Sequence, residues 1–149
     1  MSEYTFDAAR LPRMEAELDG YAAPYWSGLA TGRLLLPFCE AGHYFWVPRP
    51  FCPRHPESDV GYRPGTGQGT VYSFTIVHRG EGAYAAAAPY ALAYVELDEG
   101  PRVMAHLVDW HPGELVVGAR VGLRHTGSGH GDAITTLRFA PIEHPSRQL

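Results

Sequence analysis

Thr70-Val71-Tyr72-Ser73-Phe74-Thr75-Ile76-Val77 is the stretch on which the reading of this 149-residue chain turns. β-Branched and aromatic side chains dominate it, and these fit a pleated, half-buried strand better than a helix, where they lose χ1 freedom. Downstream, Ala91 to Leu97 and Arg102 to Val108 flank the turn Asp98-Glu99-Gly100-Pro101 and read as a hairpin. Ala119 to Arg124 and Ala133 to Phe139 supply two more strands, separated by the glycine-rich Thr126-Gly127-Ser128-Gly129-His130-Gly131-Asp132. Five strands with no convincing helix among them predict a small closed barrel of the OB type. Immediately upstream, Gly65-Thr66-Gly67-Gln68-Gly69-Thr70 superficially resembles a phosphate-cradling loop. It precedes a strand rather than opening a helix, and it lacks a Gly-Lys-Ser/Thr ending. It reads as a flexible entry into the first barrel strand.

From Arg33 to Tyr62 the texture differs. Leu34-Leu35-Leu36 and Tyr44-Phe45-Trp46-Val47 are separated by Cys39, Gly42, Pro48, Pro50, Cys52 and Pro53. A unit this small buries too little apolar surface to hold itself, and such units usually rely on a metal or a disulfide. Two tight turns carry the candidate ligands: Cys39-Glu40-Ala41-Gly42-His43 and, after eight residues, Cys52-Pro53-Arg54-His55. Zinc takes four Cys or His donors in a structural tetrahedron. A full ribbon reads Cys-x-x-Cys twice, whereas here Gly42 and His55 stand at the second ligand position of each turn. Cys52-x-x-His55 remains a half-site, and His43, one residue late but with a longer side chain, can join Cys39. The alternative is a ribbon that has lost its metal and is held by Phe38, Phe45, Trp46 and Phe51. Either Cys39 or Cys52 could in principle be a nucleophile, but a thiolate bound to structural zinc is occupied.

Residues 12 to 32 place Met14, Leu18, Tyr21, Tyr25, Trp26 and Leu29 at spacings of three and four, one apolar face of a helix. Gly20 and Pro24 interrupt it, so two short helices are expected, the second opening near Pro24 and ending by Gly32. The face of Tyr21, Tyr25, Trp26 and Leu29 must be covered either by the β core and ribbon or by another subunit.

Composition narrows the function classes. Twelve basic against 16 acidic residues give a net charge of −4, which argues against a sequence-independent nucleic-acid binder. The longest apolar run, Ala83 to Val95, has 13 residues and contains Pro89, whereas a spanning helix needs about 20. Acidic residues in Met1-Ser2-Glu3-Tyr4-Thr5-Phe6-Asp7 do not suit a secretory signal, and two cysteines are too few for a disulfide scaffold. The cytoplasm is the expected location. His78, His106, His111, His125, His130 and His144 show no metal-helix spacing, and no Gly-x-Ser-x-Gly elbow occurs.

The order of the short motifs carries a family resemblance. Tyr25-Trp26-Ser27-Gly28-Leu29 and Gly32-Arg33-Leu34 come first, followed by Cys39 and Pro48-Arg49-Pro50-Phe51-Cys52-Pro53. Gly67-Gln68-Gly69-Thr70-Val71-Tyr72-Ser73-Phe74-Thr75, Pro89-Tyr90 and Val95-Glu96-Leu97-Asp98-Glu99-Gly100-Pro101 complete the series. The chain resembles the acyl-CoA-associated family that joins an N-terminal helical segment, a rubredoxin-like zinc ribbon and an OB-fold domain. Its expected fold class is therefore mainly β, with segments at 1–32, 33–64 and 65–149. Gly42 and His55 depart from the family's four-cysteine ribbon, so the expected zinc set is Cys39, His43, Cys52 and His55.

The resemblance implies a non-catalytic small subunit beside a larger acyl-CoA enzyme, most often thiolase-like, in a heterotetramer with acyl-CoA as substrate of the complex. A hot-dog-fold enoyl-CoA hydratase is the other implied partner. Two further classes remain as competitors. An OB-fold nucleic-acid module would need a basic groove with stacking aromatics, and a free-standing acyl-CoA hydrolase would turn over thioesters alone.

Overall fold

In this computed structural model the described residues are 10–12, 20–124 and 136–142. The chain begins its regular structure with α1, Ala23–Ala30, whose Pro24 sits in the first turn, where a missing N–H costs nothing. Gly32 follows at φ 78°, closing the helix in the left-handed region. The expected second helix is thus present, while Met14 and Leu18 of the first lie outside the described residues.

Next come β1 (Leu35–Cys39), β2 (His43–Tyr44) and β3 (Val60–Pro64), an antiparallel sheet in the order β2-β1-β3. The remaining strands are β4 (Gln68–Val77), β5 (Tyr90–Leu97), β6 (Arg102–Leu107), β7 (Arg120–Leu123) and β8 (Arg138–Pro141). They close a barrel in the order β4-β5-β6-β8-β7, antiparallel throughout except for the β6–β8 pair, which is parallel. The fold is mainly β, with a ribbon followed by a five-stranded OB-like barrel, as the strand pattern predicts.

Alternation explains most of the barrel interior, although Tyr90 and His106 are buried as well. Ala91, Ala93, Val95 and Leu97 of β5 point inward and are buried, as are Val103, Ala105 and Leu107 of β6, with Val71, Val121 and Phe139 filling the middle. Two expectations need adjusting. The last strand was expected over Ala133 to Phe139. Residues 133–135 lie outside the described set, and β8 itself starts at Arg138 and runs on to Pro141, because its parallel register with β6 begins at His106↔Arg138. Strand β3 was not foreseen. None of its residues is fully buried, and it contains glycine and proline, so only its ladder with β1 makes it a strand.

The helix, ribbon and barrel share one core. Tyr25 and Leu29 of α1, Leu34, and Leu36 of β1 cluster with the barrel interior. Tyr25 also meets Trp26 and Trp46 edge to face, at centroid distances of 4.9 and 5.1 Å. Its burial pushes the phenol pKa up. Of the two covers considered for the aromatic helix face, the internal one is realised for Tyr25 and Leu29, and Tyr21 alone stays largely exposed. Where ribbon meets barrel the chain passes through a narrow slot. A Cβ on Gly65 would lie 3.0 Å from Leu36 Cδ1 and 3.1 Å from Glu99 Oε1. The Thr66 N–H donates to that same Glu99 oxygen at 2.5 Å, tying the slot to the β5–β6 turn. Among the described residues no helix is long and apolar enough to cross a membrane.

Leu36 is a ribbon residue with no exposure that packs into the barrel core. Leu36→Ala is expected to cost about 2–5 kcal/mol, read as a lower denaturant midpoint in a single transition for ribbon and barrel. A second prediction concerns His106. Its ring stacks on Tyr84 at 5.7 Å and 9° and tilts against Tyr90. Burial, reinforced by the Arg138 charge, lowers its pKa from 6.5 to about 4. The unfolded chain therefore binds more protons than the folded one below pH 6.5. Stability is expected to fall as pH drops from about 6.5 through about 4 and to lose nothing further from this group below that. Chemical denaturation across that range should show the loss, and His106→Gln should flatten it.

Candidate metal centre

Strand β1 delivers Cys39 at its end, and a tight turn closed by the Gly42 N–H donating to the Cys39 carbonyl at 2.8 Å returns the chain as β2. Cys39 and His43 face each other in the ladder. The second turn closes in the same way, His55 N–H to Cys52 carbonyl at 3.2 Å, and Glu40 N–H donates to the Asp59 carbonyl at 3.0 Å. The two knuckles thereby meet, and one donor atom each from Cys39, His43, Cys52 and His55 lies within 4.8 Å of all the others.

The specific contacts define which ring nitrogens face the sulfurs. Cys52 Sγ is 3.2 Å from His43 Nε2, Cys39 Sγ is 3.8 Å from His55 Nδ1, and Cys52 Sγ is 4.0 Å from that same nitrogen. For zinc bonds of about 2.3 Å to sulfur and 2.0–2.1 Å to nitrogen, a tetrahedron puts S and N about 3.6 Å apart. The donor set and its spacings fit structural zinc. Two thiolates would also neutralise the cation's charge, leaving a centre that is cheap to bury.

Electrostatics agree with that fit. Burial raises the Cys52 thiol pKa, but the backbone N–H groups of Arg54 and His55, the Cys39 thiol and the Arg54 charge pull it down further, so the net shift is downward. His43 is lowered too, first by burial and then by the His55 and Arg54 charges, which keeps its imidazole neutral and able to donate a lone pair. Both cysteines are fully buried, His43 is half-buried and His55 is exposed.

The structure brings together all four residues singled out by spacing. It also shows why the ligand after Cys39 comes late. Gly42 sits at φ +110°, a conformation that side-chain-bearing residues rarely adopt. The four aromatic side chains named for a metal-free ribbon lie in different places. Phe45 is buried beside Cys39 and Cys52, but Trp46 packs toward α1, Phe38 pairs with Tyr44 beneath Arg63, and Phe51 is 46% exposed.

One feature of the barrel escaped the sequence. Tyr72, Tyr94 and Met104 are 50, 47 and 57% exposed on the outer face of β4, β5 and β6, beside an apolar groove of about 280 Å³ lined by Phe74 and Leu92. The signal was available, since all three alternate out of phase with Val71, Val95 and Val103, but what lies outside a barrel cannot be judged before its interior is known.

Two family models match the chain: the ChsH2 rubredoxin-like zinc ribbon domain over residues 26–54 and the ChsH2 C-terminal OB-fold domain over residues 62–125. The chain belongs to the ChsH2 family. Its ribbon match stops one residue short of His55, the position at which the fourth donor departs from the usual cysteine.

Similar to this ChsH2-family chain is a DUF35 domain-containing scaffold protein of Pyrococcus furiosus, 37% identical over 60% of this chain and 65% of the relative. The alpha subunit of 3-oxo-4,17-pregnadiene-20-carboxyl-CoA hydratase of Mycobacterium tuberculosis is 28% identical over 65% of this chain but only 31% of its own length. Among solved structures, one described as the Ltp2-ChsH2(DUF35) aldolase superposes with a TM-score of 0.72 at 28% identity, covering 85% of this chain and 98% of that one. A Sulfolobus solfataricus DUF35 protein of unknown function, 16% identical with a TM-score of 0.58, shares the fold.

A Cβ at Gly42 meets nothing within 4 Å, so substitution there tests conformation alone. Gly42→Ala is expected to lower stability by about 1–2 kcal/mol, measured by denaturant melting. Gly42→Cys should carry the same cost rather than create a better ribbon.

Proposed function

We propose that this chain is a non-catalytic accessory subunit of an acyl-CoA-processing enzyme, with a thiolase-like partner and a structural zinc in its ribbon. The observation that carries this reading is the match, over 98% of its length, to a chain solved in the Ltp2-ChsH2(DUF35) aldolase. The relatives named scaffold proteins support an assembly role, and the hydratase alpha subunit supports an acyl-CoA context. The 31% coverage of that subunit also suits a ribbon-and-barrel unit that works beside other catalytic parts.

In this reading Cys39, His43 through Nε2, Cys52 and His55 through Nδ1 hold the metal. Zinc there supplies no reaction chemistry. It fastens the two knuckles and so fixes the ribbon against the barrel, and it leaves neither cysteine available as a nucleophile. The partner-binding role passes from the helix face, whose Tyr25 and Leu29 are spent inside the molecule, to the outer barrel face of Tyr72, Tyr94 and Met104. Exposed aromatic and methionine side chains are enriched in the centres of protein interfaces. The complex expected is two copies of each chain, with nucleophile and acid–base groups supplied by the partner. A hot-dog-fold enoyl-CoA hydratase partner is the second reading, favoured by the hydratase name of the mycobacterial relative.

The reading predicts about one zinc per chain in protein purified without chelator, by elemental analysis, with the metal lost in Cys52→Ser and His55→Ala. A chain that binds well under one equivalent would refute the zinc assignment. It also predicts that the isolated chain cleaves no acyl-CoA thioester and co-purifies with a thiolase-like protein encoded beside it. Tyr94→Glu combined with Met104→Glu should reduce that co-purification at least tenfold while leaving the melting midpoint unchanged. Turnover by the isolated chain, or a monomer in co-expression, would overturn the accessory role.

A further inference from the structure

We infer that Cys39 and Cys52 form a second, covalent clasp for the ribbon: a two-electron oxidant such as hydrogen peroxide closes them into a disulfide, and the metal leaves. The inference rests on the reading of this cluster as a zinc site, and it concerns what the cluster does when its sulfurs are oxidised.

Three observations point to it. The chain has two cysteines and no others, one at the end of β1 and one in the second knuckle. Their sulfurs lie within 4.8 Å of each other, with both rings of the cluster beside them. The other two donors are imidazoles, which peroxide leaves intact under conditions that oxidise a thiolate. In a ribbon with four cysteines, one disulfide would leave a second thiolate pair on the metal. Here it removes both anionic ligands at once, and two neutral imidazoles cannot hold the cation alone. His55 is exposed, so the rim of the cluster is open to a small oxidant, although both sulfurs are covered.

The chemistry balances. One thiolate attacks a peroxide oxygen, the O–O bond breaks, hydroxide leaves, and the sulfur keeps the transferred OH as a sulfenic acid. The second thiolate attacks that sulfur, the S–S bond forms, and water leaves after protonation of the departing hydroxide. Two electrons pass from the sulfur pair to peroxide, and the zinc ion goes to solvent. A dithiol reductant reverses the step. The new bond joins the same two knuckles over the same small core of Phe45 and Val60. Oxidation therefore exchanges one clasp for another instead of opening the ribbon.

The test treats the zinc-loaded full chain with graded hydrogen peroxide. Released zinc is followed with a chromogenic chelator, covalent state by intact mass and peptide mapping, and stability by thermal melting. Zinc release and an intramolecular Cys39–Cys52 link should rise together, and dithiothreitol with added zinc should restore the starting state. The oxidised metal-free chain should melt above the reduced metal-free chain. Zinc release accompanied by sulfinic acid or by links between chains, zinc retention after both thiols are oxidised, or a lower melting midpoint for the linked form would each overturn the inference. If the purified chain carries no zinc, the zinc assignment fails by itself, and the same oxidation is run on the reduced metal-free chain. There, a Cys39–Cys52 link with a raised midpoint supports the covalent clasp, and its absence defeats it.

Discussion

Two sulfur and two imidazole donors drawn within 4.8 Å of one another are the constraint on which the segment between α1 and the barrel depends. That segment gives several of its apolar side chains away. Leu34 and Leu36 pack into the barrel core and Trp46 packs against Tyr25, so the knuckles keep only Cys39, Phe45, Cys52 and part of Val60 for themselves. A few hundred square ångströms of apolar burial at about 25 cal/mol per Å² cannot order loops rich in proline and glycine. Local order there falls to the donors and to the backbone hydrogen bonds that close each turn.

The gift of Leu34 and Leu36 also explains why ribbon, helix and barrel behave as one body. Their cores are continuous, and the link between them runs past Gly65, where a Cβ would press on the Leu36 and Glu99 side chains, with Glu99 holding the neighbouring Thr66 N–H. The four metal-type donors are therefore held in a fixed place relative to the outer face of β4, β5 and β6. The barrel closes through short pairings, β4 with β7 over Gln68–Thr70 and β6 with β8 at His106↔Arg138 and Leu107↔Phe139. Side chains standing off its sheet are a surface for recognition, and Tyr72, Tyr94 and Met104 stand there with about half of their surface in solvent.

The accessory role fits this division. The cluster of Cys and His donors lies in the knuckles, and His106 is buried against Tyr84 and Tyr90 with its pKa lowered. The outer face of the barrel presents Tyr72, Tyr94 and Met104. The P. furiosus and M. tuberculosis relatives, similar over 60% and 65% of this chain, are named a scaffold protein and an acyl-CoA hydratase subunit.

Strand identity was legible in the sequence wherever alternation was clean. The period-2 run of β5 and the first half of β6 encode their own faces, and Pro24 and Gly32 mark the helix ends through backbone geometry that no tertiary contact has to supply. The four donor types in two turns were legible for the same reason, since ligand chemistry is a property of side chains and short spacings. Three things were decided only by the tertiary structure. Strand β3 exists because β1 offers it a ladder, a partner some 25 residues away that local composition does not reveal. Tyr25 and Leu29 are internal because the barrel core happens to reach them, and an apolar helix face by itself does not say what covers it. Finally, the choice of His43 over position 42 follows from a left-handed backbone at Gly42 and from the pairing of Cys39 with His43 across the ladder. Sequence supplies the donors, but only the closing of two distant knuckles in space selects which atoms meet.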